Sequence, residues 1–156
     1  MFGFLKRKPR EIKAPIDGQL IAIEDVNDEV FSKKMAGDGI AILPIGDIFA
    51  SPIDGVISKI FSTNHAFLVK GKQDLEVLVH IGLETVALQG QGFERLAQEG
   101  DEVQAGDPII KVDLAYIKAH AKDTITPILI TDESKYDKIE KNDTVVKSGD
   151  AIMEVS

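Results

Sequence analysis

Hydrophobic and polar residues alternate in short runs along most of the chain, and glycine, aspartate, asparagine or proline closes each run. A period of two over such runs is typical of β-strands that bury one face. The runs that predict strands are LIAI, GIAIL, GVISKI, AFLVK, LEVLVHI, PIIKV and PILIT. Three segments favour helices, namely residues 28–34, 93–98 and 114–122, the last with Asp113 as its N-cap.

Two kinds of repeat divide these strands into related units. Residues 14–23 (APIDGQLIAI) resemble residues 51–60 (SPIDGVISKI), and in each an Asp-Gly turn, where glycine tolerates positive φ, leads into a strand. Residues 103–112 (VQAGDPIIKV) resemble residues 146–155 (VKSGDAIMEV) in the same way. The repeats predict an all-β antiparallel β-sandwich or flattened barrel with internal pseudo-repeats and a few short helices.

The length of 156 residues predicts one domain, which we place at residues 12–156 after a flexible tail of residues 1–11. The tail begins MFGFLKRKPR, with its apolar residues before its basic ones, which is the reverse of a signal peptide. So short a segment binds lipid feebly, so we expect at most a weak contact with a membrane surface.

Composition narrows the classes of function. A net charge of −8 argues against nucleic acid and favours basic protein partners. The absence of cysteine excludes disulfides and thiolate sites and fits a cytoplasmic location. No apolar run reaches the roughly 20 residues that cross a bilayer. We expect a cytoplasmic monomer.

Candidate chemistry comes from two of the three histidines, His65 and His80, which lie symmetrically about a predicted turn at residues 71–74. A hairpin centred on that turn places His65 opposite His80, with their Cβ atoms about 4.5–5.5 Å apart. Alternation then assigns the remaining side chains. The core face takes Ala66, Leu68, Val77 and Val79, and the histidine face takes Phe67 and Leu78.

Such a pair admits several chemistries. Thr63 and Gly82 bracket the histidines, and a hydroxyl or carbonyl there can bond Nδ1 of an imidazole and leave Nε2 free. Two histidines are an incomplete zinc site, and no serine nucleophile motif accompanies them. Phosphorylation of an imidazole fits, because histidine is a nucleophile at neutral pH. The alternative is that His65 and His80 are surface histidines without a function. The third histidine, His120, is predicted to be a solvent-exposed residue of a helix.

Several ordered motifs resemble one known family. They are GDGIAI (37–42), SPIDGVISKIF (51–61), TNHAF (63–67) and LVHIGLETV (78–86). They closely resemble the glucose-family enzyme IIA component of the bacterial phosphotransferase system, and the similarity runs from about residue 12 to the end. The family has an antiparallel β-sandwich fold.

The resemblance implies a phosphocarrier. Nε2 of His80 would accept a phosphoryl group from phospho-HPr and pass it to a cysteine in the IIB domain of a sugar permease. His65 would hydrogen-bond the phosphoryl group, while Thr63 and the Gly82 carbonyl orient the imidazoles. No cofactor is required, although in some members zinc bridges the matching two histidines and a partner's carboxylate, which implies a possible zinc site at His65 and His80.

The resemblance also implies a docking face around the histidines. Its apolar positions are Val30, Phe31, Phe61, Leu78 and Val86. Asp28 and Glu84 form an acidic rim that would receive an arginine from HPr.

Two alternative functions stay open. One is a regulatory module whose phosphorylation switches docking, and the other is a lipoyl- or biotinyl-like carrier. A zinc hydrolase ranks last, and the sugar is not determined.

Overall fold

The structure is a computed structural model that describes residues 9–156. Within that range the chain forms fourteen strands, two α-helices and four single-turn 3-10 helices. The strands are β1 (Arg10–Lys13), β2 (Gly18–Ala22), β3 (Asp38–Pro44), β4 (Ile48–Ala50), β5 (Gly55–Ile60), β6 (Ala66–Lys70), β7 (Glu76–His80), β8 (Phe93–Arg95), β9 (Glu102–Val103), β10 (Pro108–Val112), β11 (Thr126–Ile130), β12 (Ile139–Lys141), β13 (Val145–Val146) and β14 (Ala151–Val155). The helices are α1 (Glu29–Ser32) and α2 (Leu114–His120), and the 3-10 helices are Ile23–Asp25, Lys72–Asp74, Thr85–Leu88 and Glu133–Lys135.

All strand pairs in the described range are antiparallel, and they form one large and two small sheets. The large sheet has the order β13-β2-β3-β11-β7-β6-β5-β9, and the small sheets have the orders β1-β14-β12 and β4-β10-β8. Fully buried side chains from all three sheets pack in one apolar cluster that includes Ile12, Phe49, Phe67, Ile110 and Ile152. The predicted all-β sandwich is confirmed.

A second, smaller apolar cluster lies on the other side of the large sheet. Its buried members are Ile23, Val26, Phe31, Ala41, Leu83, Ile125 and Leu129. The short segment that contains α1 supplies Phe31 and covers this part of the sheet. Both faces of the central strands are therefore buried there, and the candidate site is built on this outer cluster.

The two kinds of repeat unit pair with each other. The strands that follow the two Pro-Ile-Asp-Gly turns, β2 and β5, pair with β13 and β9 respectively. The side chain of Asp17 accepts a hydrogen bond from Ser148 N at 2.7 Å, and that of Asp54 accepts one from Ala105 N at 2.8 Å. Each aspartate therefore ties its own turn to a Gly-Asp unit elsewhere in the chain.

The reason for glycine in these turns differs from our prediction. Gly18 and Gly55 both begin strands, and neither has a positive φ. Instead, a Cβ atom on Gly18 would lie 2.3 Å from the Leu43 carbonyl oxygen, and one on Gly55 would lie 2.2 Å from that of Lys70. Glycine is required here because neighbouring backbone approaches too closely for any side chain.

The helix predictions had mixed outcomes. The helix predicted at 114–122 is α2, and the side chain of Asp113 caps it by accepting from Tyr116 N at 3.1 Å. The helix predicted at 28–34 is the single turn α1. The helix predicted at 93–98 is wrong, because β8 pairs with β10 there and Leu96 N continues the contact by donating to Ile109 O at 2.8 Å. Pairing with a neighbouring strand overrides local helix propensity.

The N-terminal boundary also differs from the prediction. Arg10 and Glu11, which we assigned to the tail, belong to β1 and pair with Val155 and Glu154 of β14. Of the segment for which a membrane contact was predicted, residues 1–8 lie outside the described residues, and Arg10 lies in β1. Within residues 9–156, no helix is both long and apolar enough to cross a membrane.

The close approach at Gly55 leads to a stability prediction. We expect Gly55→Ala to lower the free energy of unfolding by about 2–3 kcal/mol, because the new methyl group must displace the backbone at Lys70. A matched control is Gly106→Ala, where φ is +98° but no atom lies within 4 Å of the new Cβ, so backbone strain of about 1 kcal/mol is the cost. Urea unfolding of both variants checks this, and equal losses would contradict it.

Candidate functional site

The hairpin that carries the two histidines has a different register from the predicted one. Strands β6 and β7 pair Ala66 with His80 and Leu68 with Leu78, one residue away from the expected pairing. The buried core face therefore consists of Phe67, Val69, Val77 and Val79. Our assignment of Ala66 and Leu68 to the core face and of Phe67 to the histidine face was wrong, because a slip of one residue reverses the facing of a strand.

The two imidazoles nevertheless meet, because His65 lies just before β6. The preceding residue, Asn64, has a φ of +62°, and this turn frees the His65 side chain from the alternation of the strand. Ile81 N donates to the His65 carbonyl at 2.7 Å and closes the end of the hairpin. The ring centroids of His65 and His80 are 5.0 Å apart, with their planes at 79°. The predicted proximity is therefore present, although the predicted route to it is wrong.

The tautomer of His80 follows from one hydrogen bond. Nδ1 of His80 lies 2.8 Å from the Gly82 carbonyl oxygen. A carbonyl oxygen can only accept, so Nδ1 carries the hydrogen and donates it. Neutral His80 therefore has its lone pair on Nε2, the form that a nucleophile needs.

Glycine at position 82 makes that carbonyl available. The φ of Gly82 is +76°, and a Cβ atom there would lie 2.6 Å from Cγ2 of Thr85 and 2.8 Å from the Asp123 carbonyl oxygen. Leu83 N donates to the same Asp123 carbonyl at 2.9 Å, which holds the turn against the loop after α2. Both the conformation and the space at this position exclude other residues.

His65 is held by a different partner. Its Nδ1 lies 2.6 Å from Oγ1 of Thr63. A hydroxyl can donate or accept, and when Thr63 donates, the hydrogen of neutral His65 lies on Nε2. The pair then presents one imidazole with a free lone pair and one with a free N–H donor.

Two phenylalanines extend the histidine pair into a row of four rings. Phe31 of α1 lies 5.0 Å from the ring of His80, and Phe61 lies 5.6 Å from that of His65, edge to face. The ammonium group of Lys59 lies 4.6 Å from the centre of the Phe61 ring. Both imidazoles are therefore restrained by aromatic contacts as well as by a hydrogen bond at Nδ1.

Burial favours the neutral form of both histidines. His65 is only 5% exposed, and burial, aided by the neighbouring His80, lowers its pKa from 6.5 to about 4. Burial also lowers the pKa of His80, against the opposing effects of the Gly82 carbonyl and the negative charge of Asp28. At neutral pH both side chains are therefore uncharged.

The residues predicted for a docking face have varied exposure. Val30 is 46% exposed and Val86 is 56% exposed, whereas Phe31 is buried against His80. Phe61 and Leu78 are half-buried. Val30 and Val86 are thus surface residues and do not belong to the core.

The two acidic residues of the predicted rim have different local roles. The side chain of Asp28 accepts a hydrogen bond from Val30 N at 2.9 Å and caps α1. Glu84 is exposed and adopts a φ of +58° just before the Thr85–Leu88 turn. Asp28 therefore both positions the helix that carries Phe31 and acts electrostatically on His80.

Metal binding by the pair would need help from another molecule. Among residues 9–156, no group of three or more His, Cys, Asp or Glu side chains is arranged to hold a metal ion. A zinc site needs three or four protein ligands. Zinc at His65 and His80 stays a prediction.

The third histidine, His120, is exposed on α2 and stacks on Tyr116.

Two residues near the pair were missed by the sequence analysis. Nε of Arg95 donates to the side-chain oxygen of Asn64 at 2.6 Å. Asparagine before a histidine is a weak signal of a left-handed turn, since Asn tolerates positive φ. No pattern in the sequence indicated that Arg95 lies near the histidines, because its segment was predicted as a helix.

Comparison with known proteins places the chain in a family. Residues 10–136 match the family described as phosphoenolpyruvate-dependent sugar phosphotransferase system, EIIA 1. The chain belongs to this family. The predicted resemblance is confirmed.

Individual members of the phosphotransferase system match over most of the chain. The glucose-specific EIIA component of Haemophilus influenzae is 44% identical over 155 residues, which cover 98% of this chain and 93% of that protein. The glucose-specific EIICBA component of Staphylococcus carnosus is 50% identical over 120 residues, 77% of this chain but 18% of that longer protein. The solved structure of glucose permease IIA from Mycoplasma capricolum matches with a TM-score of 0.88 and 37% identity, over 95% of this chain and 96% of that one.

The lowered pKa of His65 leads to a prediction about acid stability. Its pKa is 6.5 when unfolded and about 4 when folded, so between these values the unfolded chain binds more protons. The stability due to neutral His65 is complete above pH 6.5 and is lost as the pH falls towards 4. We expect His65→Gln to reduce the loss of unfolding free energy between pH 7 and 4.5 by about 1–2 kcal/mol.

Urea unfolding of both proteins at the two pH values measures this difference. Glutamine retains a hydrogen-bonding side chain but cannot be protonated in this range. An equal loss of unfolding free energy in wild type and variant would show that folding does not lower the pKa of His65.

Proposed function

We propose that the chain is a phosphocarrier that accepts a phosphoryl group from phospho-HPr on Nε2 of His80 and passes it to a cysteine of a IIB domain. The observation that carries this proposal is the Nδ1–H···O bond from His80 to Gly82, with the His65 ring 5.0 Å away. Membership of the EIIA 1 family supports it. The chain's similarity to glucose-specific relatives favours a glucose-type permease as the acceptor.

The first transfer begins with neutral His80. The lone pair on Nε2 attacks the phosphorus of the HPr phosphohistidine, a P–N bond forms, and the P–N bond to HPr breaks. The departing HPr imidazole keeps the electron pair of the broken bond. Nδ1 of His80 keeps its hydrogen throughout, so the Gly82 carbonyl stabilises the positive charge that develops on the imidazole ring.

His65 acts on the transferring group without becoming bonded to it. With Thr63 donating to its Nδ1, Nε2–H of His65 faces the phosphoryl oxygens and hydrogen-bonds them. A dianionic group beside His65 raises the pKa of its ring and so favours the imidazolium form, which donates a stronger, charge-assisted hydrogen bond. The pair therefore combines one nucleophile with one electrostatic stabiliser.

The second transfer reverses the first on a new partner. The cysteine thiolate of the IIB domain attacks the phosphorus, an S–P bond forms, and the electron pair of the P–N bond returns to Nε2 of His80. His80 is then neutral and ready for another cycle. The chain needs no nucleotide or resident metal for either step.

Docking of both partners on the histidine face accounts for the exposed apolar residues there. In the predicted docking set Val30 and Val86 are exposed and Phe61 and Leu78 are half-buried, so these four side chains can offer apolar contact to a partner. Asp28 and Glu84 supply negative charge to a basic partner such as an arginine of HPr. A cavity of about 530 Å³ near Gly71 and Leu75 includes neither histidine in its lining, so it is not part of this proposal.

Phosphotransfer to the purified chain tests the site assignment. With phosphoenolpyruvate, enzyme I and HPr, we expect wild type to gain one acid-labile phosphoryl group by intact mass, and His80→Gln to gain none. His65→Gln should still accept the group but deliver it to a IIB domain about 100-fold more slowly, because it lacks the imidazole donor. A labelled His80→Gln protein would refute His80 as the acceptor.

Docking is tested by placing a charge on the proposed face. We expect Val86→Asp to raise the KM for phospho-HPr about tenfold with little change in kcat, because the new carboxylate must lose its water when it is buried in an apolar contact. The matched control is Val145→Asp on the edge strand β13, where valine is 66% exposed. Equal KM values for the two variants would place HPr on another face.

A further inference from the structure

Arg95 joins the small β4-β10-β8 sheet to the loop that carries His65. It is the last residue of β8, where it pairs with Ile110, and its side chain reaches over the 61–65 loop. Nε donates to Oδ1 of Asn64 at 2.6 Å, and a terminal nitrogen lies 3.5 Å from the Phe61 carbonyl oxygen, the outer limit of a hydrogen bond. One guanidinium group thus contacts both ends of the turn before His65.

That turn is tight. Asn64 N donates to the Phe61 carbonyl at 2.7 Å, and Phe61 N donates to the Ala66 carbonyl at 2.9 Å. Asn64 occupies the left-handed region at φ +62°, which asparagine adopts more readily than most residues that carry a side chain. The Arg95 bond to the Asn64 side chain is one contact from outside the turn that restrains this conformation.

We propose that Arg95 is a positioning residue for His65. It fixes the Asn64 side chain, and this keeps Thr63 and His65, on either side of Asn64, in the geometry of their 2.6 Å hydrogen bond. The restraint keeps the Thr63 hydroxyl placed to donate to Nδ1, the arrangement that leaves the hydrogen of neutral His65 on Nε2. The structural part of this inference is independent of the proposed function, and its kinetic consequence rests on that function.

Arginine suits this role for a reason of geometry. Its planar guanidinium presents donors in a fixed fork that reaches two acceptors at once, whereas a lysine ammonium group is a single flexible point charge. The competing role is direct attraction of the phosphoryl group by the positive charge. Experiment can separate positioning from attraction, because lysine keeps the positive charge but cannot contact two acceptors at once in a fixed geometry.

The primary measurement is imidazole 15N NMR of His65 in the unphosphorylated full chain. We expect Arg95→Met, which keeps an apolar stem but has no donors, to move the two His65 nitrogen shifts towards each other as the tautomers mix. Arg95→Lys should give the same change. Glu94→Ala, at the exposed neighbouring position on β8, is the control and should leave both shifts unchanged.

A thermodynamic cycle tests the route through Asn64. Asn64→Gly removes the side chain that Arg95 holds while tolerating φ +62°. We expect it to reproduce the His65 shifts of Arg95→Met, and the double variant should be no worse than either single variant. Additive changes would overturn the proposed route.

Transfer kinetics then test the consequence for function. We expect Arg95→Met and Asn64→Gly to accept a phosphoryl group from phospho-HPr within about twofold of wild type but to deliver it to a IIB domain about fivefold more slowly, the effect of one exposed hydrogen bond. Wild-type His65 shifts and delivery in Arg95→Met would overturn the proposal. Normal delivery in Arg95→Lys would favour the charge role and also overturn it.

The two proposals fail differently. If wild type accepts no phosphoryl group at all, the proposed function fails, while the NMR shifts still decide whether Arg95 positions His65. If wild type accepts and delivers normally but the His65 shifts do not respond to Arg95→Met, the positioning role alone fails.

Discussion

The hydrogen bond between Nδ1 of His80 and the Gly82 carbonyl is the contact on which the chemistry of the site depends. It fixes the tautomer, so it decides that Nε2 presents a lone pair on the outer face of the sheet. The contact in turn depends on a backbone conformation and a clearance that only glycine permits, between Thr85 and the Asp123 carbonyl. The site therefore depends on the end of β7 and on the loop after α2 that holds it, as well as on the two histidines.

Burial gives the pair its electrostatic character. A neutral imidazole is a better nucleophile than an imidazolium ion and remains able to donate from its protonated nitrogen. The contact of Phe31 with His80 leaves His80 half-buried, and His65, whose ring contacts Phe61, is almost fully buried. Asp28 opposes the depression of the His80 pKa, so the two histidines differ in environment although they lie in contact.

The rigid frame behind the site comes from the internal repeats. Two Asp-Gly turns are each tied by an aspartate side chain to a Gly-Asp unit far away in the sequence. Backbone packs so closely at Gly18 and Gly55 that no side chain fits. This frame fixes the hairpin of β6 and β7 in the large sheet, and one end of that hairpin carries both histidines.

Local sequence was sufficient for several features. Alternation identified an antiparallel all-β fold, the repeats identified its pseudo-symmetry, and Asp113 identified the start of α2, because these signals lie within a few residues of one another. The histidine pair, with Thr63 and Gly82 as partners for Nδ1, followed from spacing about one turn. The family motifs then implied roles for these residues that spacing alone left open.

Tertiary structure decided what depends on contacts between distant segments. The hairpin register differs by one residue from the predicted one, because Phe67 and Val69 pack in the core. No local signal distinguishes this register from the predicted pairing of His65 with His80. Residues 93–95 form a strand because β10 supplies their hydrogen bonds, and this strand brings Arg95 to Asn64. The sequence by itself determined the fold class and the chemical groups of the site, whereas packing determined their facing, their tautomers and their support, because those depend on long-range contacts.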